Sequence, residues 1–415
     1  MVNNMTDITL LCKVVDNFGD IGFVYRLARS LSDIFQGGAC PSAQSSTFRL
    51  PPLAGDTDKS VSPATPPSGQ DFQNQNSLKL RIVVDNLESF HLLCPQIDPS
   101  KDFQLANNWE IYRWSASEIC HQAFKKNQPR IIIECFQCGR PEWLENLLFE
   151  EKVPDIVNII MLDYLTAEDY AESFHKLQSL TRSARVQKVN FMPGFTGKTG
   201  GLILDQPFLL SLKNRKMSEH TAIFFSYPRD WTPAVKALQK FNIENCQNKL
   251  NVLLARGAGY QSFKDAWQKE KSEDFFTLTE LPFMAQTEWD ALMTRTPLLF
   301  IRGEDSLSRA CLCGVPFIWH AYPQSQEYQL VKVQALLEKL RPYFLPESFS
   351  ILQNCWISYN TTDIQNQTLQ EHLDLFLKNY KALCQGFSDF SRDLLQNGDL
   401  TSHLLEFIKE RINNA

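Results

Sequence analysis

The chain opens with a strand, a turn and a helix in direct succession, and this order constrains the fold more than any other feature. Residues 8–15 (ITLLCKVV) form an apolar run rich in β-branched side chains, which predicts a strand buried on both faces of a parallel sheet. Residues 16–20 (DNFGD) have the composition of a turn. Apolar side chains then recur at helical spacing over residues 21–35. This succession indicates an α/β domain.

Two groups of strands with helices between them follow along the chain. The first group continues with apolar runs over residues 80–85, 131–134 and 156–162. Several of these runs finish in an acidic residue, at the carboxyl edge where open α/β sheets bind their ligands. The second group of predicted strands covers residues 221–226, 250–255, 298–301 and 316–319. We therefore predict two Rossmann-like domains facing each other across a cleft, with the Gly-rich residues 191–201 as their linker and amphipathic helices over residues 369–385 and 390–412.

Charge and hydropathy exclude several classes of protein. The formal net charge of the 415 residues is −6, which argues against a broad nucleic-acid-binding face. No apolar stretch approaches the roughly 20 residues that span a bilayer. The first residues lack the basic start and apolar run of a secretion signal. We therefore expect a cytoplasmic protein that binds neither nucleic acid nor membrane.

Residues 37–77 interrupt the α/β pattern. They are crowded with Pro, Ser, Gln and Gly and show almost no apolar periodicity. Such a composition cannot bury enough surface to offset the loss of chain entropy on ordering. We interpret this segment as a flexible surface insertion without a part in the chemistry.

The cysteines offer two closely spaced pairs. Cys135 and Cys138 form a C-x-x-C, and Cys311 and Cys313 form a C-x-C, within an odd total of eleven. A four-thiolate zinc site needs two well-spaced pairs, usually among turn-forming glycines. These pairs lie in hydrophobic surroundings, so reduced, buried thiols explain them better than structural zinc.

Two carboxylates flank the turn between the first strand and the first helix. Asp16 and Asp20 lie four residues apart around Asn17, Phe18 and Gly19. Glycine lets a ligand approach the backbone, and a helix N-terminus offers unpaired N–H groups, but the two acids would repel a phosphate. The turn therefore suits a cationic or hydroxylic acceptor. Helix capping is the alternative, although a cap needs only one such residue.

A second constellation, RGEDS at residues 302–306, follows an apolar strand and opens a helix. Asp305 and Ser306 stand where backbone amides point outward and can bind a pyrophosphate, with Arg302 as a charged partner. Glu304 and Asp305 are suited to hold hydroxyl groups of a sugar or ribose. A Ser-capped helix with an exposed salt-bridge cluster is the alternative.

Aromatic side chains around an amide form a third constellation. Phe283 and Trp289 lie on either side of Gln286 in the sequence, and Phe225 and Tyr227 end the second domain's first strand. Rings of this kind stack on a nucleobase while an amide reads its hydrogen-bonding edge. The Tyr227 hydroxyl is suited to reach a phosphate or ribose. Ordinary core packing explains the same aromatic residues.

Together these motifs resemble the family of protein-arginine rhamnosyltransferases that modify bacterial translation elongation factor P. The matching stretches are DNFGDIG at residues 16–22, RLARSL at 26–31, PGFTGKTGGL at 193–202, LPF at 281–283, RGEDS at 302–306 and GVPFIWHAYPQ at 314–324. Their order and spacing cover nearly the whole chain outside residues 37–77. DNFGDIG and RGEDS in this order are far more specific than a single dinucleotide fingerprint.

The resemblance implies an inverting GT-B glycosyltransferase. Residues 1–195 would form an acceptor-binding Rossmann-like domain, residues 196–388 the donor domain, and residues 389–415 a helix that packs back on the first domain. The implied donor is dTDP-β-L-rhamnose, and the implied acceptor is one arginine in the N-terminal domain of elongation factor P. We expect no metal or other cofactor.

The resemblance also assigns residues to the two substrates. Asp16 and Asp20 belong to the acceptor side, and the donor pocket comprises Phe225, Tyr227, Phe283, Gln286, Trp289, Arg302, Glu304, Asp305 and Ser306. Our mechanistic hypothesis makes Asp20 the base or principal orienter of the acceptor guanidinium, supported by Asp16 and Glu304. Asn17, Phe18 and Gly19 are predicted to contact substrate. Trp289 departs from the phenylalanine expected in relatives, and an indole still stacks.

Two other functions stay open on the sequence. One is a GT-B glycosyltransferase with a different nucleotide sugar and a lipid or small-molecule acceptor. The other is a non-catalytic nucleotide-binding protein, which would leave Asp16 and Asp20 without a purpose. A dehydrogenase is disfavoured because no complete dinucleotide loop follows any predicted strand.

Overall fold

A computed structural model describes residues 6–15, 19–36, 78–151 and 155–413 of the chain. Three residues with predicted roles, Asp16, Asn17 and Phe18, lie outside the described residues, and so does the predicted insertion at residues 37–77.

The first lobe is built on an eight-stranded sheet. Its strands are β1 Thr6–Cys12, β2 Leu78–Val84, β3 Phe103–Ala106, β4 Trp109–Arg113, β5 Ile131–Cys135, β6 Val157–Leu162, β7 Gln178–Ser179 and β8 Val186–Phe191. Their order across the sheet is β3-β4-β2-β1-β5-β6-β8-β7. The two edge strands, β3 and β7, pair antiparallel to their neighbours, and the inner strands pair parallel. The carboxyl end of β1 therefore lies near the middle of the sheet.

The second lobe is built on a five-stranded parallel sheet. Its strands are β9 Thr221–Phe224, β10 Asn251–Leu254, β11 Leu278–Glu280, β12 Leu298–Arg302 and β13 Phe317–His320. Their order is β11-β10-β9-β12-β13. Strands β10 and β11 are added on one side of β9, and β12 and β13 are added on its other side. The strand order therefore reverses between β9 and β12, and the crevice at such a switch point is where open α/β sheets hold ligands.

Helices cover both sheets. Those of the first lobe are α1 Gly19–Phe35, α2 Leu87–Leu93, α3 Ser117–Lys126, α4 Glu142–Glu145 and α5 Tyr170–Phe174. The α-helices of the remaining chain are α6 Gln206–Lys213, α7 Thr232–Glu244, α8 Tyr260–Lys269, α9 Gln286–Arg295, α10 Glu304–Cys313, α11 Gln329–Leu340, α12 Pro346–Asn360, α13 Asn366–Gln396 and α14 Leu400–Asn413. The predicted α/β class with parallel sheets is confirmed.

Two stretches of chain cross between the lobes and lie side by side. Leu202 forms a β-bridge with Asp399, and the Leu204 amide donates to the Asp399 carboxylate at 2.7 Å. Beyond this point α14 returns to the first lobe, where Leu404 and Ile408 join the core of the eight-stranded sheet. The two lobes are therefore joined by a paired double crossing.

The last helices break at a different place from the one predicted. The sequence predicts helices over residues 369–385 and 390–412, but α13 runs to Gln396 and the break falls at residues 397–399. Gly386 lies inside α13, where a Cβ would stand 2.4 Å from the Phe344 ring, so this glycine makes room for packing. Gly398 has a φ of +90°, which ends the helix at the crossing.

The cores explain why these segments fold as they do. Ile8–Cys12 of β1 are buried without interruption, as expected for a strand covered on both faces. Cys135, Cys311 and Cys313 are buried free thiols. Within the described ranges, no helix has the length and apolar character needed to cross a membrane.

Candidate active site between the two lobes

A cavity of about 60 Å³ lies between the lobes at the carboxyl ends of their strands. Gly19, Asp20 and Tyr164 of the first lobe line it, and Glu304, Asp305 and Arg309 of the second lobe line it from the other side. The structure therefore brings the predicted acceptor-side carboxylate Asp20 and the predicted supporting carboxylate Glu304 to one cavity.

Asp20 is held in the first turn of α1 by neutral hydrogen-bond donors. The side chain is 2% exposed and accepts from the Val15 amide at 2.7 Å and from the Tyr164 hydroxyl at 3.1 Å. These two hydrogen bonds orient the Asp20 carboxylate.

Tyr164 follows the end of β6 and forms part of an aromatic wall. Its ring stacks on Phe136 at a centroid distance of 4.4 Å, and Phe23 meets Phe136 edge-on at 5.3 Å. Burial, followed by the charge of Asp20, raises the pKa of Tyr164 far above that of a free tyrosine. The hydroxyl therefore stays protonated and can keep donating to Asp20.

Arg26 crosses from the first lobe into a group of second-lobe carboxylates. Its guanidinium is fully buried and donates to both oxygens of Asp305, each at 3.0 Å. It also donates to Asp205 at 3.0 Å and to both oxygens of Asp290. Arg309 adds a second guanidinium 3.5 Å from Asp205. We call Arg26, Arg309, Asp205, Asp290 and Asp305 the interlobe ion cluster.

Two carboxylates of the interlobe ion cluster, Asp205 and Asp305, have depressed pKa values. Burial raises the pKa of Asp205, but Arg309 and Arg26 outweigh that effect and lower the pKa to about 2. The pKa of Asp305 is lowered because the nearby Arg26 outweighs burial. In this structure the Asp305 carboxylate is therefore engaged with Arg26, and its predicted donor contact stays a prediction.

Gln286 is part of the same contact between the lobes. Its amide nitrogen donates to the Gly22 carbonyl at 3.0 Å, and its oxygen accepts from Arg29 at 3.3 Å. Both partners lie on α1 of the first lobe. The predicted reading of a nucleobase edge by Gln286 is not represented by these contacts and stays a prediction.

Three of the remaining predicted donor residues, Phe225, Tyr227 and Arg302, lie together at the carboxyl ends of β9 and β12. The Arg302 guanidinium lies 4.5 Å from the Phe225 ring centroid and 4.7 Å from that of Tyr227. Trp289 meets Phe225 edge-on at 5.3 Å, and Phe283 is 54% exposed.

His320 and the start of α10 complete this second-lobe surface. Burial lowers the pKa of His320 to about 3, so its neutral ring accepts from the Tyr227 amide at 3.1 Å. Ser306 is buried in the first turn of the ten-residue helix α10, next to Glu304. Glu304 itself lies 3.8 Å from Lys332. The α10 N-terminus thus presents backbone amides and a carboxylate at one end of the cavity.

The comparisons with known proteins decide the family. The chain matches the family described as Elongation-Factor P (EF-P) rhamnosyltransferase EarP over residues 8–37 and 69–409. The chain belongs to this family. The match leaves out residues 38–68, which fall within the predicted insertion at 37–77.

Relatives named protein-arginine rhamnosyltransferase support this family over the whole chain. One from Shewanella oneidensis is 26% identical and covers 98% of this chain and 99% of its own. One from Pseudomonas aeruginosa is 26% identical, covering 85% of this chain and 86% of its own. The EF-P rhamnosyltransferases are glycosyltransferases, so the chain belongs to an enzyme family.

Solved structures agree on the fold. A structure described as the basis for EarP-mediated arginine glycosylation of EF-P has a TM-score of 0.52, 17% identity, and covers 97% of this chain and 99% of its own. A UDP-GlcNAc 2-epimerase from Neisseria meningitidis has a TM-score of 0.50 and 9% identity, covering 98% and 100%. The two-lobed arrangement is that of the GT-B fold.

The sequence of this EF-P rhamnosyltransferase family member left some cavity residues without a role. Tyr164 follows Asp163 at the end of a predicted strand, so its position at the sheet edge was a usable signal. Phe136 follows β5 in the same way. Arg26 stands within the RLARSL stretch, and an arginine beside buried Leu27 in an apolar helix was its only sign.

Proposed function

We propose that this chain transfers rhamnose from dTDP-β-L-rhamnose to one arginine in the N-terminal domain of elongation factor P, in the cytoplasm where translation factors act. The observation that carries this proposal is the placement of Asp20 and Glu304, from opposite lobes, on one cavity. The family to which the chain belongs supports the sugar and the acceptor.

The acceptor chemistry explains why carboxylates are needed. An arginine side chain is always protonated because its pKa exceeds about 12, and its lone pairs are delocalised. Asp20 and Glu304 would hold the guanidinium and turn one nitrogen toward the anomeric carbon. Asp20 accepts a proton as the new N–C bond forms, and Asp16 is proposed to support it.

The leaving group of the reaction is a nucleoside diphosphate, which separates from the rhamnosyl group of the donor. As the bond between the anomeric carbon and the diphosphate oxygen breaks, that oxygen takes the electron pair, and attack from the opposite side inverts the anomeric centre. We propose that the first amides of α10 and the guanidinium of Arg302 stabilise the growing negative charge. Phe225, Phe283 and Trp289 are proposed to hold the base.

A metal-free transfer is part of the proposal. The charges of Arg302 and the α10 N-terminus supply what a divalent cation often supplies to a leaving diphosphate. Among the residues that the structure describes, no group of three or more His, Cys, Asp or Glu side chains is arranged to hold a metal ion. Turnover is expected to be the same with and without EDTA.

Intact-mass analysis of elongation factor P after incubation with the protein and dTDP-rhamnose tests the proposal. The expected product is the factor with one added deoxyhexose, which peptide mapping assigns to an arginine. A matched incubation with UDP-glucose should add nothing. No mass gain with dTDP-rhamnose, or a gain with UDP-glucose alone, would contradict the proposed donor.

A further inference from the structure

One face of α1 makes the buried contact between the lobes. Gly22, Arg26 and Arg29 are four and three residues apart, which places them on one side of the helix. Gln286 and Asp290, four residues apart on α9, face them, and Arg26 also reaches Asp305 on α10. The sequence stretch that contains Arg26 had no assigned role.

The exposed contacts between the lobes are weaker than this one. Tyr328 donates to Glu168 at 3.2 Å, and Lys339 approaches Asp169 to 2.8 Å, both at exposed positions. Exposed pairs of this kind contribute little to stability. Arg26, in contrast, is fully buried and donates to three carboxylates that are 179, 264 and 279 residues away in sequence. Bidentate pairing fixes direction as well as distance.

The contact links the two proposed substrate sites through short lengths of backbone. Asp20 begins the same helix that carries Arg26, and the bidentate partner Asp305 stands between Glu304 and Ser306 at the start of α10. Any shift of α10 along α1 would therefore change the separation of Asp20 from Glu304. It would also move the α10 amides, together with the donor proposed to bind them, relative to Asp20.

We propose that Arg26 is a positioning residue for sugar transfer: its guanidinium holds the first turn of α10 against α1 and so sets the distance between the acceptor carboxylates and the donor. This inference rests on the proposed function for its link to catalysis. Donor binding depends on second-lobe residues, so Arg26 acts on the transfer step and not on donor affinity.

Two variants weaken the interlobe ion cluster without emptying it. Arg26→Lys keeps the charge but loses the planar fork that bonds three carboxylates. Asp290→Asn keeps the shape and one acceptor oxygen but removes one charge. The matched control is Asp7→Asn, because Asp7 accepts at 2.6 Å from Arg81, another buried arginine, within the first lobe alone.

The expected result is a fall in kcat of about tenfold or more for Arg26→Lys and Asp290→Asn, since small misplacements of reacting groups cost large factors in rate. The Kd of dTDP-rhamnose should stay within about twofold of wild type. Asp7→Asn should keep kcat. Unchanged kcat in both cluster variants, or a donor Kd that weakens in step with kcat, would overturn the proposal.

Amide hydrogen exchange separates this inference from the proposed function. In both cluster variants the hydrogen-bonded amides of α10 from Leu307 onward, the first of which donates to the Gly303 carbonyl at 3.1 Å, should exchange faster than in wild type, whereas Asp7→Asn should leave them protected. This readout needs no activity. If wild type adds no rhamnose to elongation factor P, the proposed function fails, and retained protection at α10 in both variants would separately reject the role of Arg26.

Discussion

The buried carboxylates on the two sides of the cavity are held by different kinds of partner. Asp20 accepts from a backbone amide and a tyrosine hydroxyl, both neutral. Asp305, across the cavity, gives both oxygens to the guanidinium of Arg26. A hydrogen bond from a neutral group orients a carboxylate, whereas a guanidinium also neutralises its charge. The comparison places Asp305 in the contact that joins the lobes, while the reactivity of Asp20 is a proposal that the following variants test.

The largest effect is expected at Asp20. Asp20→Asn keeps the size of the side chain but removes the proton acceptor, so kcat should fall by roughly 100-fold or more. The KM of the donor should change little because the proposed donor site lies on the second lobe. Steady-state kinetics with a circular-dichroism check of folding measures this. Wild-type turnover in a correctly folded variant would remove Asp20 from the chemistry.

At Asp205, in contrast to Asp20, the expected effect of substitution is on the free energy of unfolding. Asn caps a helix as well as Asp does, so Asp205→Asn should keep the cap on α6 and lose only the charge pairing. The depressed pKa of Asp205 corresponds to a loss of about 2 kcal/mol in the free energy of unfolding. Urea unfolding measures it. An unchanged midpoint would mean that the cluster contributes no stability.

Tyr164 sharpens the account of how Asp20 is oriented. Tyr164→Phe removes the hydroxyl and keeps the ring on Phe136, so kcat should fall about fivefold to tenfold. Tyr112→Phe is the matched control, because that hydroxyl donates to Glu110 at 2.9 Å in the same lobe. An equal kcat in both variants would exclude the orienting role.

Phe283 tests the donor side alone. Phe283→Ala should raise the donor KM by about fivefold to tenfold, as expected for the loss of one stacking ring, and should leave kcat nearly unchanged. Leu345→Ala, at another exposed apolar position in the second half of the chain, is the control. A donor KM equal to wild type would exclude Phe283 from the base pocket.

The smallest effect concerns pH. The folded-state pKa of Asp205 lies below its unfolded value, so its stabilisation is present above about pH 4 and is lost as pH falls toward 2. His320, with a depressed pKa, makes unfolding easier as pH falls below about 6.5, because the unfolded chain takes up the proton first. The cluster's contribution should therefore be constant from pH 8 to about 5. Unfolding curves of wild type and Asp205→Asn should differ by the same amount across that range. A difference that shrinks above pH 5 would contradict the assigned ionisation.

Local sequence patterns predicted more of the fold than of the candidate site. Buried apolar runs predicted β1, β5 and β12 because an uninterrupted run of branched side chains suits a strand covered on both faces. The hairpin of β3 and β4 was not predicted, since its short strands depend on pairing with the sheet. Gly386 marked packing against Phe344 and not a helix end, which only the tertiary contact reveals.

The site divides in the same way. The position of Asp20 and Glu304 at one cavity could be predicted because each stands where a strand leads into a helix, and that position needs only local sequence. The partners of Arg26 come from three distant segments, and no local pattern brings them together. Contacts across a lobe boundary depend on how the lobes are placed. For that reason the engagement of Asp305 and Gln286 with α1 could not be predicted.

A crystal structure of the protein with dTDP and the N-terminal domain of elongation factor P would show whether Asp20 receives the acceptor arginine in the cavity between the lobes. We expect one arginine of the factor inside the interlobe cavity, with its guanidinium within about 3 Å of the Asp20 carboxylate and facing the diphosphate end of the nucleotide. An acceptor arginine bound outside this cavity, with Asp20 in contact only with groups of its own lobe, would contradict it.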